Sequence, residues 1–162
     1  MPDSIVRATI REIDPLGVDE SVLVAAHKVV DADLPALPAV EADGTFAGIF
    51  GERELMAAMF PAYVGTLASS RMISRTIDES IERRPQCREE PIREYLTTDH
   101  VLVEDDFSDT QLAELFLHHR VLVIPIATHG RVHAVVTRND FFRALTTRLD
   151  ELTAPASSAD GR

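Results

Sequence analysis

The strongest constraint on the fold is an internal repeat. Residues 10–12 and 92–94 both read Ile-Arg-Glu, and each is followed by an acidic segment and then by a stretch with helical character, over 22–30 and 109–119. Serine or aspartate precedes each helical stretch, where N-cap side chains accept backbone N–H hydrogen bonds. A repeat of this length predicts two copies of one supersecondary unit.

The second half of each copy matches in the same way. A strand with an embedded proline is predicted around Pro38 in the first copy and around Pro125 in the second. Glycine-containing pairs at 43–44 and 129–130 follow and are typical of hairpin turns, after which a second strand and an amphipathic helix close each copy. Each copy is therefore predicted to be a β-α-β-β-α unit of α/β (α+β) class, with the first helix as a crossover between parallel strands.

These matches divide the chain into four parts. Residues 1–60 form the first repeat, 61–91 a connecting helical linker, 92–150 the second repeat and 151–162 a tail predicted to be disordered because it is small and polar. The linker helix has isoleucines at helical spacing, and Pro85 is expected to end it. Because about three strands cannot cover both faces of a sheet, the two repeats are expected to pack sheet to sheet with an internal pseudo-two-fold axis.

Composition limits the partners and the compartment. The formal net charge is −11, and no Lys/Arg cluster of the kind that contacts nucleic-acid phosphates or anionic lipid is present. A single cysteine, Cys87, excludes an intrachain disulfide framework. The sequence opens without a signal segment, and no apolar run approaches the roughly 20 residues of a membrane helix. We therefore expect a cytoplasmic protein with neither a nucleic-acid polymer nor a membrane as partner.

The order of helix, apolar-Pro-apolar strand, hairpin, apolar strand and acidic helix start resembles the cystathionine-β-synthase (CBS) domain. It occurs twice, over about residues 5–60 and 90–148. Residues 134–141 read Ala-Val-Val-Thr-Arg-Asn-Asp-Phe, which is similar to the family signature of a strand, Thr or Ser, two residues, Asp and an apolar residue. The first copy departs from this signature, with Gly51 in place of the Thr and Glu54 in place of the Asp.

The resemblance implies an adenosine-containing ligand, either AMP, ADP, ATP or S-adenosylmethionine, in a cleft between the repeats. Thr137 closes a strand at a helix N-terminus, where a hydroxyl and backbone N–H groups favour phosphate. Asp140 accepts hydrogen bonds from adjacent hydroxyls such as a ribose presents. The alternative for both residues is helix capping and a favourable interaction with the helix dipole. One competent site is expected, because Gly51 lacks a hydroxyl and the Glu54 carboxylate is one methylene farther out.

Further site residues follow from the family pattern and from the nearby basic residue. Arg138 lies between Thr137 and Asp140 and is expected either to reach phosphate oxygens or to remain solvated. The family pattern assigns the adenine pocket to His100, Val101, Ile124 and Pro125, and a contribution from the first copy to Arg53 and Ile49. For the apolar members the alternative is ordinary core packing, and for the histidine it is a surface loop position.

Neither a metal site nor catalysis is indicated. The histidines at 118–119, 129 and 133 lack a cysteine or a convergent carboxylate cluster, and neither a nucleophile elbow nor a phosphate loop is present. We therefore expect a regulator that requires no cofactor and is not an enzyme, signalling in trans to an unknown effector protein. The resemblance implies a homodimer. The alternative is a ligand-free dimerisation or scaffold module with degenerate sites, which Gly51 and Glu54 favour.

Overall fold

The computed structural model describes residues 5–60 and 77–153, which contain five α-helices and seven β-strands. The helices are α1 (Val22–Asp31), α2 (Glu52–Met59), α3 (Ile77–Arg83), α4 (Asp109–His118) and α5 (Arg138–Thr153). The strands are β1 (Arg11–Glu12), β2 (Leu16–Gly17), β3 (Ala36–Val40), β4 (Phe46–Gly51), β5 (Val103–Glu104), β6 (Val123–Thr128) and β7 (Arg131–Thr137). Across these two ranges no helix is long and apolar enough to cross a membrane.

Each repeat forms the predicted β-α-β-β-α unit. In the first, β2 pairs parallel with β3, which pairs antiparallel with β4. In the second, β5 pairs parallel with β6, which pairs antiparallel with β7. The crossover helices α1 and α4 begin after Ser21 and Ser108, whose side chains accept hydrogen bonds from the N–H groups of Val24 and Gln111. The predicted fold class is confirmed.

The turn of the second hairpin has the geometry that its sequence predicts. Thr128 ends β6 and Arg131 begins β7, so His129 and Gly130 alone connect the two strands. Their φ angles are 52° and 75°. Two consecutive positive φ angles define a type I′ turn, whose twist matches that of the strands it joins.

The N-terminal segment of each repeat lies on the sheet of the other repeat. From the first repeat, β1 pairs antiparallel with β7, with Arg11 opposite Val135. From the second, Thr97 forms an antiparallel bridge with Ile49 in β4, through N–H···O bonds of 3.0 and 3.2 Å. The strand orders are therefore β1-β7-β6-β5 in one sheet and β2-β3-β4 in the other.

This exchange corrects the alignment of the two copies at their start. The shared Ile-Arg-Glu sequence predicts that Arg11 and Arg93 are equivalent, but Arg11 and Thr97 hold the matching places on the two sheets. The prediction was wrong because Arg93 belongs to a 3-10 turn, Ile92–Glu94, that precedes the bridge. Strand register is decided by pairing over the whole sheet and not by a three-residue match.

Two clusters of buried apolar side chains hold the repeats together. The first contains Leu16, Val22 and Phe50, and it also includes Val135 from the second repeat. The second cluster contains Ile124 among other residues of the second repeat. Because β7 contributes to the first cluster and β3 contacts β6, the two sheets pack against each other, as the repeat predicts.

Both segments outside the repeats are described in part. The linker helix α3 ends at Arg83, and Pro85 begins a 3-10 turn, as the sequence predicts. Residues 61–76 and 154–162, including the start of the predicted linker helix and most of the predicted tail, lie outside the described residues. Residues 151–153, assigned to the tail, instead belong to α5, where Arg148 forms a 3.0 Å ion pair with Glu151.

Candidate functional site

A cleft of about 950 Å³ lies between the two repeats. One wall comes from the first repeat, at the end of α1 and the start of α2, and the other from the end of β7 and the first turns of α5. Its size falls within the range of small-molecule sites. The lining residues are Arg11, Val29, Val30, Asp33, Leu34, Pro35, Glu52, Leu122, Thr137, Arg138, Asn139, Asp140, Phe142 and Arg143.

Thr137 is placed at the junction of strand and helix in this cleft. It is buried at the end of β7, and its hydroxyl accepts a 3.0 Å hydrogen bond from the backbone N–H of Asp140. The next residue, Arg138, is exposed, and its backbone N–H donates to the carbonyl oxygen of Leu122 at 2.9 Å. Thr137 therefore caps α5, which is the alternative considered for this residue from its position in the sequence.

Asp140 is held by an arginine from the other repeat. Arg11 Nε donates to Asp140 Oδ2 at 2.9 Å and Nη2 donates to Oδ1 at 3.2 Å, a two-bond contact between guanidinium and carboxylate. Arg11 Nη1 also donates to the carbonyl oxygen of Asp33 at 3.2 Å. The contact links β1 of the first repeat to the first turn of α5, and both residues line the cleft.

The surroundings of Asp140 keep its carboxylate ionised. Burial raises its pKa, but hydrogen bonds with Arg11 and Thr137 and the positive charges of Arg11 and Arg143 together outweigh that effect. The net result is a pKa below its usual value of 3.8. At neutral pH the group is an acceptor for hydroxyl or guanidinium donors.

The cleft combines both signs of charge with apolar surface. Three guanidinium groups belong to Arg11, Arg138 and Arg143, and three carboxylates to Asp33, Glu52 and Asp140. Apolar lining comes from α1, from the segment that follows it and from α5, with Leu34, Pro35 and Phe142 among its members. Such a lining suits a ligand that has a flat apolar part, hydroxyl donors and an anionic group.

The corresponding acid of the first repeat, Glu54, is paired within the protein. Glu54 is buried, with Oε2 accepting from the N–H of Gly51 at 3.0 Å and Oε1 accepting from the Thr97 hydroxyl at 2.5 Å. A Cβ on Gly51 would lie 2.2 Å from the carbonyl oxygen of Pro35. The departure of this copy from the signature therefore accompanies close packing, which leaves no room for a threonine side chain at position 51.

The remaining predicted residues lie outside the lining of the cleft. His100 is part-buried, its Nε2 atom has no hydrogen-bond partner within the described ranges, and burial lowers its pKa against the opposing charges of Glu54 and Asp99. His100 is therefore near Glu54, the acid of the first repeat. Ile124 and Pro125 are buried in β6, Val101 packs against the second cluster, Ile49 pairs with Thr97 and Arg53 is exposed on α2.

Several lining residues were not found from the sequence. Phe142 and Arg143 follow Asp140 closely on α5, so they lie near the same end of that helix. Asp33, Leu34 and Pro35 connect α1 to β3, and the carbonyl oxygen of Asp33 accepts a hydrogen bond from Arg11. No local sequence feature indicated that Arg11 belongs to the site, because Arg11 reaches it only through the pairing of β1 with β7.

No group of three or more His, Cys, Asp or Glu side chains that could hold a metal occurs within residues 5–60 and 77–153. His133 Nε2 instead forms a 2.9 Å hydrogen bond with the Thr128 hydroxyl. His133 therefore makes a contact within the second hairpin.

Comparison with known proteins relates the second repeat to a domain family. The family model of the CBS domain matches residues 92–147, which contain both Thr137 and Asp140. The second repeat is therefore similar to a CBS domain. CBS-domain proteins are typically regulatory modules. A curated relative, the uncharacterized protein YlbB of Bacillus subtilis strain 168, is 26% identical over 140 residues, covering 86% of this chain and 78% of that protein.

Solved structures extend the likeness over both repeats. A CBS-domain-containing protein of Agrobacterium tumefaciens has a TM-score of 0.63 at 20% identity, covering 87% of this chain and 90% of that one. CBSX2, a CBS-pair protein of Arabidopsis thaliana, has a TM-score of 0.67 at 17% identity, covering 90% and 96%. CBSX2 in complex with AMP has a TM-score of 0.64 at 17% identity, covering 90% and 98%. The shared fold is that of a CBS pair.

Proposed function

We propose that this CBS pair is a cytoplasmic regulator that binds an adenosine-containing ligand, with AMP, ADP and ATP as the leading candidates, in the cleft between its repeats. The observation that carries the proposal is that Thr137, Arg138 and Asp140 line one cleft together with Arg11 and Arg143. The AMP complex of CBSX2, which has the same fold, supports this ligand class.

The lining supplies a partner for each part of such a ligand. Asp140 accepts hydrogen bonds from the two ribose hydroxyls, and Arg138 and the start of α5 attract the phosphate. Leu34 and Pro35 offer apolar surface to the adenine. The other residues that the family pattern assigns to the ligand lie outside the lining of this cleft, and the proposed contacts do not include them; they are His100, Val101, Ile124, Pro125, Arg53 and Ile49.

Transmission to a partner follows from the place of the ligand between the repeats. Asp140 belongs to the second repeat and Arg11 to the first, so a ligand that contacts Asp140 changes a contact between them. A ligand that prefers one arrangement about tenfold shifts the equilibrium by about 1.4 kcal/mol, and a ligand with no preference shifts nothing. The effector is a separate protein that reads this change.

We also propose that the protein is a homodimer formed through α5. Four large apolar side chains spaced along this helix are exposed, namely Phe142, Leu145, Leu149 and Leu152. An antiparallel pairing of two copies of α5 covers this face and brings the basic residues near its start opposite the acidic residues near its end. A second copy is therefore the partner that fits this surface.

The test is thermal melting of the purified protein against AMP, ADP, ATP and S-adenosylmethionine. A ligand at 100 times its dissociation constant adds about 2.7 kcal/mol to the free energy of unfolding, so a dose-dependent rise in Tm identifies the input. Mass spectrometry of the same mixtures checks that the ligand is recovered unchanged, as expected for a sensor that is not an enzyme.

The second candidate is a ligand-free dimerisation or scaffold module. The observation that favours it is that Asp140 is already paired with Arg11, while Thr137 caps α5 and Glu54 is buried. A flat response to the whole panel, with the dimer intact, would make this candidate the better account.

A further inference from the structure

Arg11 holds the carboxylate that the proposed function gives to a ribose. Its two hydrogen bonds to Asp140, at 2.9 and 3.2 Å, use both oxygens of that group. The Asp140 side chain is 15% exposed and the Arg11 side chain 39%, so solvent reaches the arginine more easily than the acid. These two bonds use two of the roughly four lone-pair positions of the carboxylate, so a ribose that binds Asp140 from the cleft either shares its oxygens with the guanidinium or displaces it.

A ligand that displaces Arg11 leaves a cation without its partner. Arg138 and Arg143 line the same cleft, together with the carboxylates of Asp33 and Glu52. Among the described residues Arg11 forms its ion pair with Asp140 and with neither of these two acids, so the released guanidinium has lost its charged partner. Removing one member of a close charge pair is unfavourable unless another group of the same sign takes its place. A phosphate is such a group, because it accepts the same fork of N–H donors that the carboxylate accepted.

We propose that Arg11 is a specificity-determining residue that selects phosphorylated adenosyl ligands over those without a phosphate. This inference rests on the proposed ligand site and adds a selection rule to it. AMP, ADP and ATP replace both lost contacts. Their ribose hydroxyls donate hydrogen bonds to Asp140, and their phosphate oxygens accept hydrogen bonds from Arg11. Adenosine replaces only the first, and the cationic S-adenosylmethionine adds positive charge beside a free guanidinium.

The sequence alone gave no reason to assign this role to Arg11. The residue lies in β1 of the first repeat, and its partner lies 129 positions away on α5. In the first repeat the matching contact joins the Thr97 hydroxyl to Glu54, an uncharged donor on a buried acid. A charged donor is thus paired with the more accessible of the two acids, the one that lines the cleft.

The experiment is calorimetric titration of AMP and of adenosine into the full chain and into Arg11→Gln, Arg11→Lys and Arg148→Gln. The wild-type protein is expected to bind AMP at least roughly tenfold more tightly than adenosine, as for a hydrogen bond to a charged group. Arg11→Gln is expected to lose most of this preference, through weaker AMP binding and unchanged or tighter adenosine binding. Arg11→Lys, which keeps the charge but not the fork, is expected to fall between them.

Arg148→Gln removes an exposed arginine of α5 outside the cleft and is expected to match the wild type. Circular dichroism melting of each variant establishes that it is folded before titration. Equal weakening of AMP and adenosine in Arg11→Gln would assign Arg11 a structural role and overturn the inference. Equal binding of both ligands by the wild type would overturn it while leaving the proposed function intact, and binding of neither would overturn both.

Discussion

Glu54 and Thr97 come from different repeats, and the hydroxyl of Thr97 donates a 2.5 Å hydrogen bond to the buried carboxylate of Glu54. The pseudo-equivalent pair is Asp140 and Arg11, joined at 2.9 Å. In both repeats the acid of the last helix is therefore contacted by the N-terminal segment of the other repeat. One of these contacts is internal, and the other lines an open cleft.

Replacing Glu54 is expected to destabilise the protein although it lies outside the proposed ligand site. Glu54→Ala leaves the N–H of Gly51 and the hydroxyl of Thr97 without their acceptor, which costs about 1–3 kcal/mol for a buried polar group. Urea denaturation measures the change. The exposed Glu52→Ala, on the same helix, is the control and is expected to stay within about 0.5 kcal/mol of the wild type. Equal effects of the two substitutions would contradict the structural role of Glu54.

Adding even a methyl side chain at position 51, where the family signature has Thr or Ser, is expected to damage the fold. A Cβ at position 51 would lie 2.2 Å from the carbonyl oxygen of Pro35 and 2.5 Å from the Ala36 side chain, so Gly51→Ala forces the backbone to move. Overpacking of this kind costs about 1–3 kcal/mol. The control is Gly17→Ala, whose nearest neighbour is 3.7 Å away. A Gly51→Ala variant as stable as Gly17→Ala in the same denaturation assay would refute the expectation.

Removing the Asp140 carboxylate is expected to abolish ligand binding with little effect on the free protein. Asp140→Ala deletes the proposed ribose acceptor, whereas the Arg11 side chain, which is 39% exposed, can be solvated once its partner is gone, so the free protein is expected to remain folded. The ligand-induced rise in Tm should disappear. Asp150→Ala, which removes an exposed acid from the same helix, should keep the full rise. Undiminished affinity in Asp140→Ala would rule out the site assignment.

Stability is expected to depend on pH through His100. Burial lowers the pKa of this histidine from its usual 6.5, so the unfolded chain takes up its proton at a higher pH than the folded protein. The contribution to stability is complete above pH 6.5 and is lost as the pH falls from there through the folded-state pKa.

The measurement compares Tm between about pH 8 and about pH 5 for the wild type and two variants. His100→Gln should show a smaller loss of stability over this range, because the difference in proton binding is gone. His27→Gln, which removes an exposed histidine of α1, should retain the loss seen in the wild type. If His100→Gln and the wild type lose stability in parallel, His100 is not the group responsible.

A charge on the exposed face of α5 is expected to separate the proposed homodimer. Leu149 is 62% exposed, and Leu149→Lys places an ammonium group in the middle of the face that a second copy would cover. Analytical ultracentrifugation should report a dimer for the wild type and a monomer for the variant. Leu117→Lys, on α4 at 78% exposure, should remain dimeric. A monomeric wild type, or a Leu149→Lys dimer, would exclude this interface.

The elements of the fold follow from local features of the sequence. Serine caps, the glycine turn at 129–130 and apolar periodicity predicted α1, α4 and the second hairpin close to their observed bounds. The place of Asp140 in the first turn of α5 was likewise predicted, and the helix cap formed by Thr137 was the alternative to its predicted role in ligand binding. These features depend on contacts between residues a few positions apart, and such contacts can be predicted from the spacing of residue types.

The composition of the cleft was decided by tertiary structure. His100 belongs to the same repeat as Asp140 and was expected beside it, yet the exchange of N-terminal segments places His100 near Glu54 and brings Arg11 to Asp140. The pairing of a two-residue strand with one sheet or the other depends on packing between distant parts of the chain. A local pattern of apolar residues therefore does not predict it. The sequence by itself determined the repeated unit and the signature residues at the end of β7, and only the packing of the two repeats determined which side chains face them.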